Sequence, residues 1–400
     1  MLKKPNKVKY IYLDHSATTP VCKEVLKAMT PYFSYKFGNP SALHKLGREA
    51  KMVLEESRKI IARYLKALPE NIIFTSGGTE ANNLAIFGVA KNNEISGRHL
   101  ISMNSEHPSI IKPLADLQKS GWQTTYIKPN KEGLVDPAEI IKAITPETVL
   151  VSIMYANNET GAIQPIAEIG REILKYRKKN NSEFPYFHTD ACQAAGYLDL
   201  DVEKTHVDLM TINSGKIYGP KGVGFLYIRR GVKIKPLFYG GEQEARRRAG
   251  TENITGIVGM AQALVLAQDH RENESKRLRY LSTSFLNKIL EIVPDVKLNS
   301  PIDSINRLPG VLNISFRRVE GEAMLLYLDE FGIMCSTGSA CTSLSLSPSQ
   351  VLKDMGLSDE LAHGSLRFSM GRYTKKKDLD YVIKYLPEII NFLRELSTLK

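Results

Sequence analysis

The sequence predicts an α/β fold: a large domain on a mostly parallel central sheet, joined to a smaller α+β domain. Three observations predict it. Between residues 71 and 228, short apolar runs alternate with longer amphipathic ones, the pattern of strands joined by helices. After about residue 270 that alternation stops. The composition, 42% hydrophobic and 24% charged, is that of an ordinary globular chain with apolar content for a sizeable core.

The elements follow in order. Asn71 to Thr75 reads as a strand and Thr79 to Ala90 as a helix. His99 to Met103 is a strand and Ser109 to Lys119 a helix. Thr148 to Tyr155 is the strongest apolar run, followed by a helix from about Ile166 to Lys178. Pro185 to Thr189, Val207 to Ile212 and Val223 to Ile228 are further strands. Ile257 to Ala267 is apolar but broken by Gly259 and Gln262, so it reads as a buried helix. Glu272 to Ile292 is a long helix with a charged face, long enough to bridge two domains. Then come a strand at Asn313 to Phe316, a helix at Glu322 to Phe331 and a strand at Ser365 to Ser369. The large domain is expected over 18–270. The small one is expected over 1–17 and 271–400, with the Ser/Gly/Thr-rich stretch 336–349 carrying Cys341. A long loop inside a compact domain is often functional.

Several function classes drop out. No apolar run reaches the roughly 18 residues of a membrane span. The basic start is followed by Ile-Tyr-Leu-Asp-His rather than an apolar stretch, so no secretory or transit signal is expected. The expected location is the cytoplasm. The four cysteines, Cys22, Cys192, Cys335 and Cys341, are scattered, which argues against a disulfide scaffold and against a zinc ribbon; no metal is expected. The formal charge is +11. Its basic clusters are short and not interleaved with aromatics, so attraction for anionic small molecules or acidic proteins is expected, not direct nucleic-acid binding.

Six segments can carry chemistry. Thr75-Ser-Gly-Gly-Thr-Glu80 ends a strand and opens a helix. It suits a phosphate at the helix N-terminus, and equally a plain helix cap. Asp190, in His188-Thr-Asp-Ala-Cys-Gln193, ends a strand, where it either holds a proton on a pyridine nitrogen or caps a helix. Lys216 leaves an apolar strand into Ile-Tyr-Gly-Pro-Lys-Gly222. Lysine forms Schiff bases with aldehyde cofactors, although most lysines are solvated surface charges. Cradle, acid and lysine in this chain order supply three binding elements for pyridoxal phosphate. His107 follows a strand, where it can stack on a ring and relay protons or simply start a helix. Asn158 sits in a polar loop after the strongest strand, within reach of a cofactor's phenolic oxygen. Arg367 lies in an apolar strand, where it grips a carboxylate or makes an internal salt bridge.

These segments resemble the cysteine desulfurases of the NifS/IscS type, within the class V aminotransferase group of fold-type I pyridoxal-phosphate enzymes. The resemblance runs from Tyr12-Leu-Asp-His-Ser-Ala-Thr-Thr-Pro20 to Arg367-Phe-Ser-Met-Gly-Arg372. Its most specific segment is Ser336-Thr-Gly-Ser-Ala-Cys341-Thr-Ser, where the family places its persulfide cysteine. The resemblance implies Lys216 as the Schiff-base lysine, Asp190 on the pyridine nitrogen and His107 over the ring. It implies Gln193 and Asn158 near the phenolic oxygen and substrate, and Gly78 and Thr79 on the phosphate. Thr251 would come from the other subunit of a homodimer, and Arg367 would hold the carboxylate of L-cysteine. The sulfur would pass from Cys341 to an acceptor such as an iron–sulfur scaffold or a tRNA-thiolation protein. A selenocysteine lyase or another class V enzyme is the alternative. One departure stands out. The family usually has histidine just before the lysine and serine two residues earlier, whereas here those positions are Gly215 and Asn213. Asn213 or Ser214 is then expected to complete the phosphate cradle. Cys192 and Cys335 are expected to be packing residues.

Overall fold

A computed structural model describes residue 2 and residues 7–338 and 348–397. Twelve strands are present among them: β1 Ile11–Tyr12, β2 Ile72–Thr75, β3 His99–Met103, β4 Gln123–Ile127, β5 Thr148–Ser152, β6 Tyr186–Asp190, β7 Leu209–Asn213, β8 Gly224–Ile228, β9 Val296–Leu298, β10 Val311–Phe316, β11 Ile333–Met334 and β12 Ser365–Ser369. Seven form one sheet in the order β2-β8-β7-β6-β5-β3-β4. The five neighbours from β7 to β4 run parallel, and β8 is antiparallel to both β2 and β7. The predicted mostly parallel α/β sheet is therefore present.

Helices cover both faces, and so β2, β3, β5, β6 and β8 are buried along their whole length. That explains their continuous apolar runs. β4 was not expected from the sequence. It is an edge strand, Gln-Thr-Thr-Tyr-Ile, buried only at its last residue, so it lacks an apolar run. The chain goes outward from β3 to β4 and then returns to β5 on the other side of β3. Such a reversal opens a crevice at the strands' C-terminal ends.

The second layer of the molecule is smaller. β12, β10 and β9 make an antiparallel sheet that packs with helices Arg271–Ile292 and Lys376–Leu396 around a core of Phe285, Phe316, Phe331 and Phe368. The N-terminal segment joins this layer: β1 pairs with β11, and Asp14 bridges Ser369. Among the described residues no helix is long and apolar enough to cross a membrane.

Candidate active site

The loops after β3, β5, β6 and β7 meet at the crevice, together with the start of helix Gly78–Asn93, Ser16-Ala17 and Arg367 of β12. They enclose a cavity of about 240 Å³ lined by Gly78, Thr79, His107, Asn158, Asp190, Gln193, Asn213, Lys216 and Arg367, among others. Residues from Gly78 to Arg367 thus converge on one site.

Asp190 ends β6 and is nearly buried. Its Oδ1 accepts from the Cys192 backbone N–H at 2.9 Å, and its Oδ2 from Asn82 Nδ2 at 2.7 Å. No helix starts at Asp190, so it caps none; its bond to Cys192 closes a turn instead. Lys216 closes a single 3-10 turn after β7, and its Nζ donates to the carbonyls of Ser16 at 2.8 Å and Ala17 at 2.6 Å.

His107 caps helix Pro108–Lys119. Its Nδ1 lies 2.7 Å from Ser109 Oγ and accepts from Ser109 N–H at 3.1 Å. Burial pushes its pKa down, Asp190 opposes this, and Lys216 adds to it. The neighbouring Glu106 is fully buried, and burial holds its carboxyl well above the usual range despite a bond from the Met154 N–H; Asp190 raises it further.

Gly77 precedes helix Gly78–Asn93 at φ 152°, a conformation side-chain-bearing residues rarely adopt, and leaves the helix without a side-chain cap. Glu80 accepts from the Ser76 N–H at 2.8 Å, one residue before the N-cap, so the plain helix-cap reading of this segment is not realised. Asn213 Oδ1 accepts from Gly215 N–H at 3.1 Å, which fixes the amide and turns Nδ2 toward Gly78. Ser214 is placed differently from the expectation. It is buried outside the cavity, and its Oγ packs so closely on Gly219 that a Cβ there would stand 2.0 Å away. Of the two expected substitutes, only Asn213 reaches the cradle. Thr251 is exposed and outside this chain's cavity.

Arg367 is 1% exposed. Its Nη2 donates to Asp14 Oδ1 at 2.6 Å, its Nη1 to the Asn158 carbonyl at 3.0 Å, and its Nε has no hydrogen-bond partner among the described residues. It makes an internal salt bridge and lines the cavity at once. Cys192 also lines the cavity, with burial pushing its thiol well up, and burial does the same to Cys335. Cys341 lies outside the described residues. Asn82, Ser109 and Asp14 complete the site but carried no signal in the sequence, because each acts on another side chain rather than on a ligand.

The donor set fits a phosphorylated aldehyde cofactor. An uncapped helix N-terminus with a glycine at its first residue suits a phosphate. A carboxylate, an amine and an imidazole line the same small cavity.

The class-V aminotransferase family model matches residues 11–382. The chain is 48% identical over 390 residues to a cysteine desulfurase IscS of Dictyoglomus turgidum, covering 98% of this chain and 97% of the relative. It is 46% identical to the one of Methanosarcina thermophila, covering 98% and 94%. Among solved structures, a NifS-like protein superposes with a TM-score of 0.89 at 34% identity, over 96% of this chain and all of the other. A structure described as SspA in complex with cysteine gives 0.79 at 35% identity, over 91% and 100%.

Proposed function

The chain belongs to the class-V aminotransferase family, and from that premise we propose that it is a pyridoxal-phosphate-dependent cysteine desulfurase. It takes sulfur from L-cysteine, leaves L-alanine and holds the sulfur as a persulfide on Cys341. The observation that carries this reading is the single cavity shared by Lys216, Asp190, His107 and Arg367. The near full-length likeness to proteins named cysteine desulfurase supports it, as does a cysteine complex of a structural neighbour.

When bound, pyridoxal phosphate supplies an aldehyde and an electron-accepting ring. Lys216 Nζ would hold its aldehyde, and the free amine would be the base for the substrate's Cα proton. Asp190 keeps the proton on the ring nitrogen. Gly78, Thr79 and the Nδ2 of Asn213 hold the phosphate, and Gln193 and Asn158 hold the phenolic oxygen. The buried guanidinium of Arg367 takes the substrate carboxylate. Cys341, as thiolate, the form in which a thiol is nucleophilic, attacks the substrate's sulfur; the S–S bond forms as the substrate's Cβ–S bond breaks, and the electron pair stays with the carbon, which takes a proton to become alanine.

The protein works as a homodimer, in which Thr251 of one subunit serves the cavity of the other. Support comes from its exposure and from its absence from the lining of its own chain's cavity. The acceptor is a protein such as an iron–sulfur scaffold or a tRNA-thiolation protein in the cytoplasm, and the net charge of +11 favours an acidic one.

The test is alanine and sulfide release from L-cysteine with a thiol reductant. Equal amounts of both are expected from protein carrying the cofactor's absorbance. Cys341→Ser should keep that absorbance and release no sulfide. Pyruvate in place of alanine would sink the reading.

A further inference from the structure

Resting on the reading that this cavity is the reaction site, we propose that Asn82 and Ser109 are positioning residues that lock His107 as its Nε2–H tautomer, so that the ring serves the reaction as a hydrogen-bond donor and not as a base. The Asn82 amide, 1% exposed, lies between two oxygens: its Nδ2 is 2.7 Å from Asp190 Oδ2 and 2.8 Å from Ser109 Oγ. Only the NH₂ end suits this position, because a flipped amide would set Oδ1 against a carboxylate. Both of its hydrogens are thereby used.

Ser109 Oγ accepts one of them and keeps a single proton of its own. Its other neighbour is His107 Nδ1 at 2.7 Å; because the Ser109 backbone N–H, which can only donate, already points at that nitrogen, Nδ1 is an acceptor and the hydroxyl proton is the one shared between them. The Ser109 backbone N–H donates to the same nitrogen at 3.1 Å. Nδ1 therefore faces two donors and has no room for a hydrogen. A neutral imidazole in that setting carries its proton on Nε2.

This polarity is the reverse of a Ser-His-Asp triad. There the carboxylate accepts from Nδ1–H and leaves Nε2 free to act as a base. Here Asp190 and His107 are joined by hydrogen bonds, but Asn82 donates at both ends, so no proton passes between them. The charges that act on the ring, Asp190 and Lys216, oppose each other, and burial favours the neutral form. Proton abstraction from the substrate then falls to Lys216. The Cys341 thiol must lose its proton to something other than resting His107.

The experiment uses the holoenzyme with ¹⁵N-labelled histidine, and the His107→Gln difference spectrum assigns the ring. Nδ1 is expected in the unprotonated range and Nε2 in the protonated range at neutral pH. Ser109→Ala removes one donor to Nδ1. The ring should then bind a proton about fivefold more tightly, the size of one net hydrogen bond, and Ser109→Thr should restore the original titration midpoint. A wild-type ring protonated on Nδ1, or a midpoint unmoved by Ser109→Ala, would overturn the proposal. Neither result bears on alanine and sulfide release, so the functional reading stands or falls separately.

Discussion

Asp190 and Arg367 face the same cavity, yet one is held by its own turn and an adjacent helix, the other by the far end of the chain. Asp190 takes a bond from Cys192, two residues on, and one from Asn82 in the helix beside its sheet. Arg367 reaches Asp14, 353 residues away, and the Asn158 carbonyl, 209 away. The cavity thus has a floor of strand ends from one sheet and a wall borrowed from the smaller layer. The floor is preorganised by hydrogen bonds from neutral donors to Asp190 and from Lys216 to backbone carbonyls. The wall depends on an ion pair whose cation is almost wholly buried. A buried charge is tolerated only while it is paired, so damage to floor and wall should look different.

The largest expected effect is at the floor. Lys216→Ala should lower alanine formation by at least ~100-fold, the scale of a lost general base, with the circular-dichroism spectrum kept. Turnover within tenfold of wild type would mean that the base lies elsewhere. Next is the wall. Arg367→Met strands Asp14 and should cost about 3–5 kcal/mol, read in urea unfolding, together with a raised KM for L-cysteine. A loss below ~1 kcal/mol, the worth of a surface pair, would erase the contrast.

The smallest effect sharpens it. Glu106 sits beside the floor, while Glu159, in the loop after β5, faces the wall through Ser349 and Arg367, and burial raises both carboxyls. Bonds to Met154 N–H and Ser349 oppose the shift respectively, with Arg367 also lowering Glu159. A raised carboxyl holds its proton longer in the folded state than in the unfolded one. Its stabilising contribution is full below the ordinary carboxyl pKa of about 4.3 and is lost as pH rises through the folded value. Glu106→Gln and Glu159→Gln should each flatten the fall in stability between pH 5 and pH 8, Glu106→Gln more. Urea midpoints at the two pH values measure this, and equal flattening would place both residues in one class.

The floor was legible in the sequence because each of its ligand-facing residues ends or follows an apolar run that is buried on both faces. Asp190 ends β6, while His107 and Lys216 lie in the loops just after β3 and β7, so the crevice rule pointed to these loops and the family resemblance to the residues themselves. Arg367 could be found as a charge inside a buried strand, though not its partner Asp14, which is a matter of distant pairing. Asn82 sits mid-helix and Ser109 in a first turn, where polar residues are common, so neither announced a role. Ser214 was misplaced because sequence order cannot say to which side of a tight turn a hydroxyl points. β4 escaped because an edge strand needs no apolar run.

The bridge between Asp14 and Ser369, with the ion pair beside it, also sets an order of events during synthesis. The large sheet is complete in sequence by Ile228, so the acid and the lysine can be in place while the ribosome is still working. Arg367 cannot meet Asp14 until β12 has emerged. A nascent chain can therefore assemble the floor long before it has a grip for the substrate.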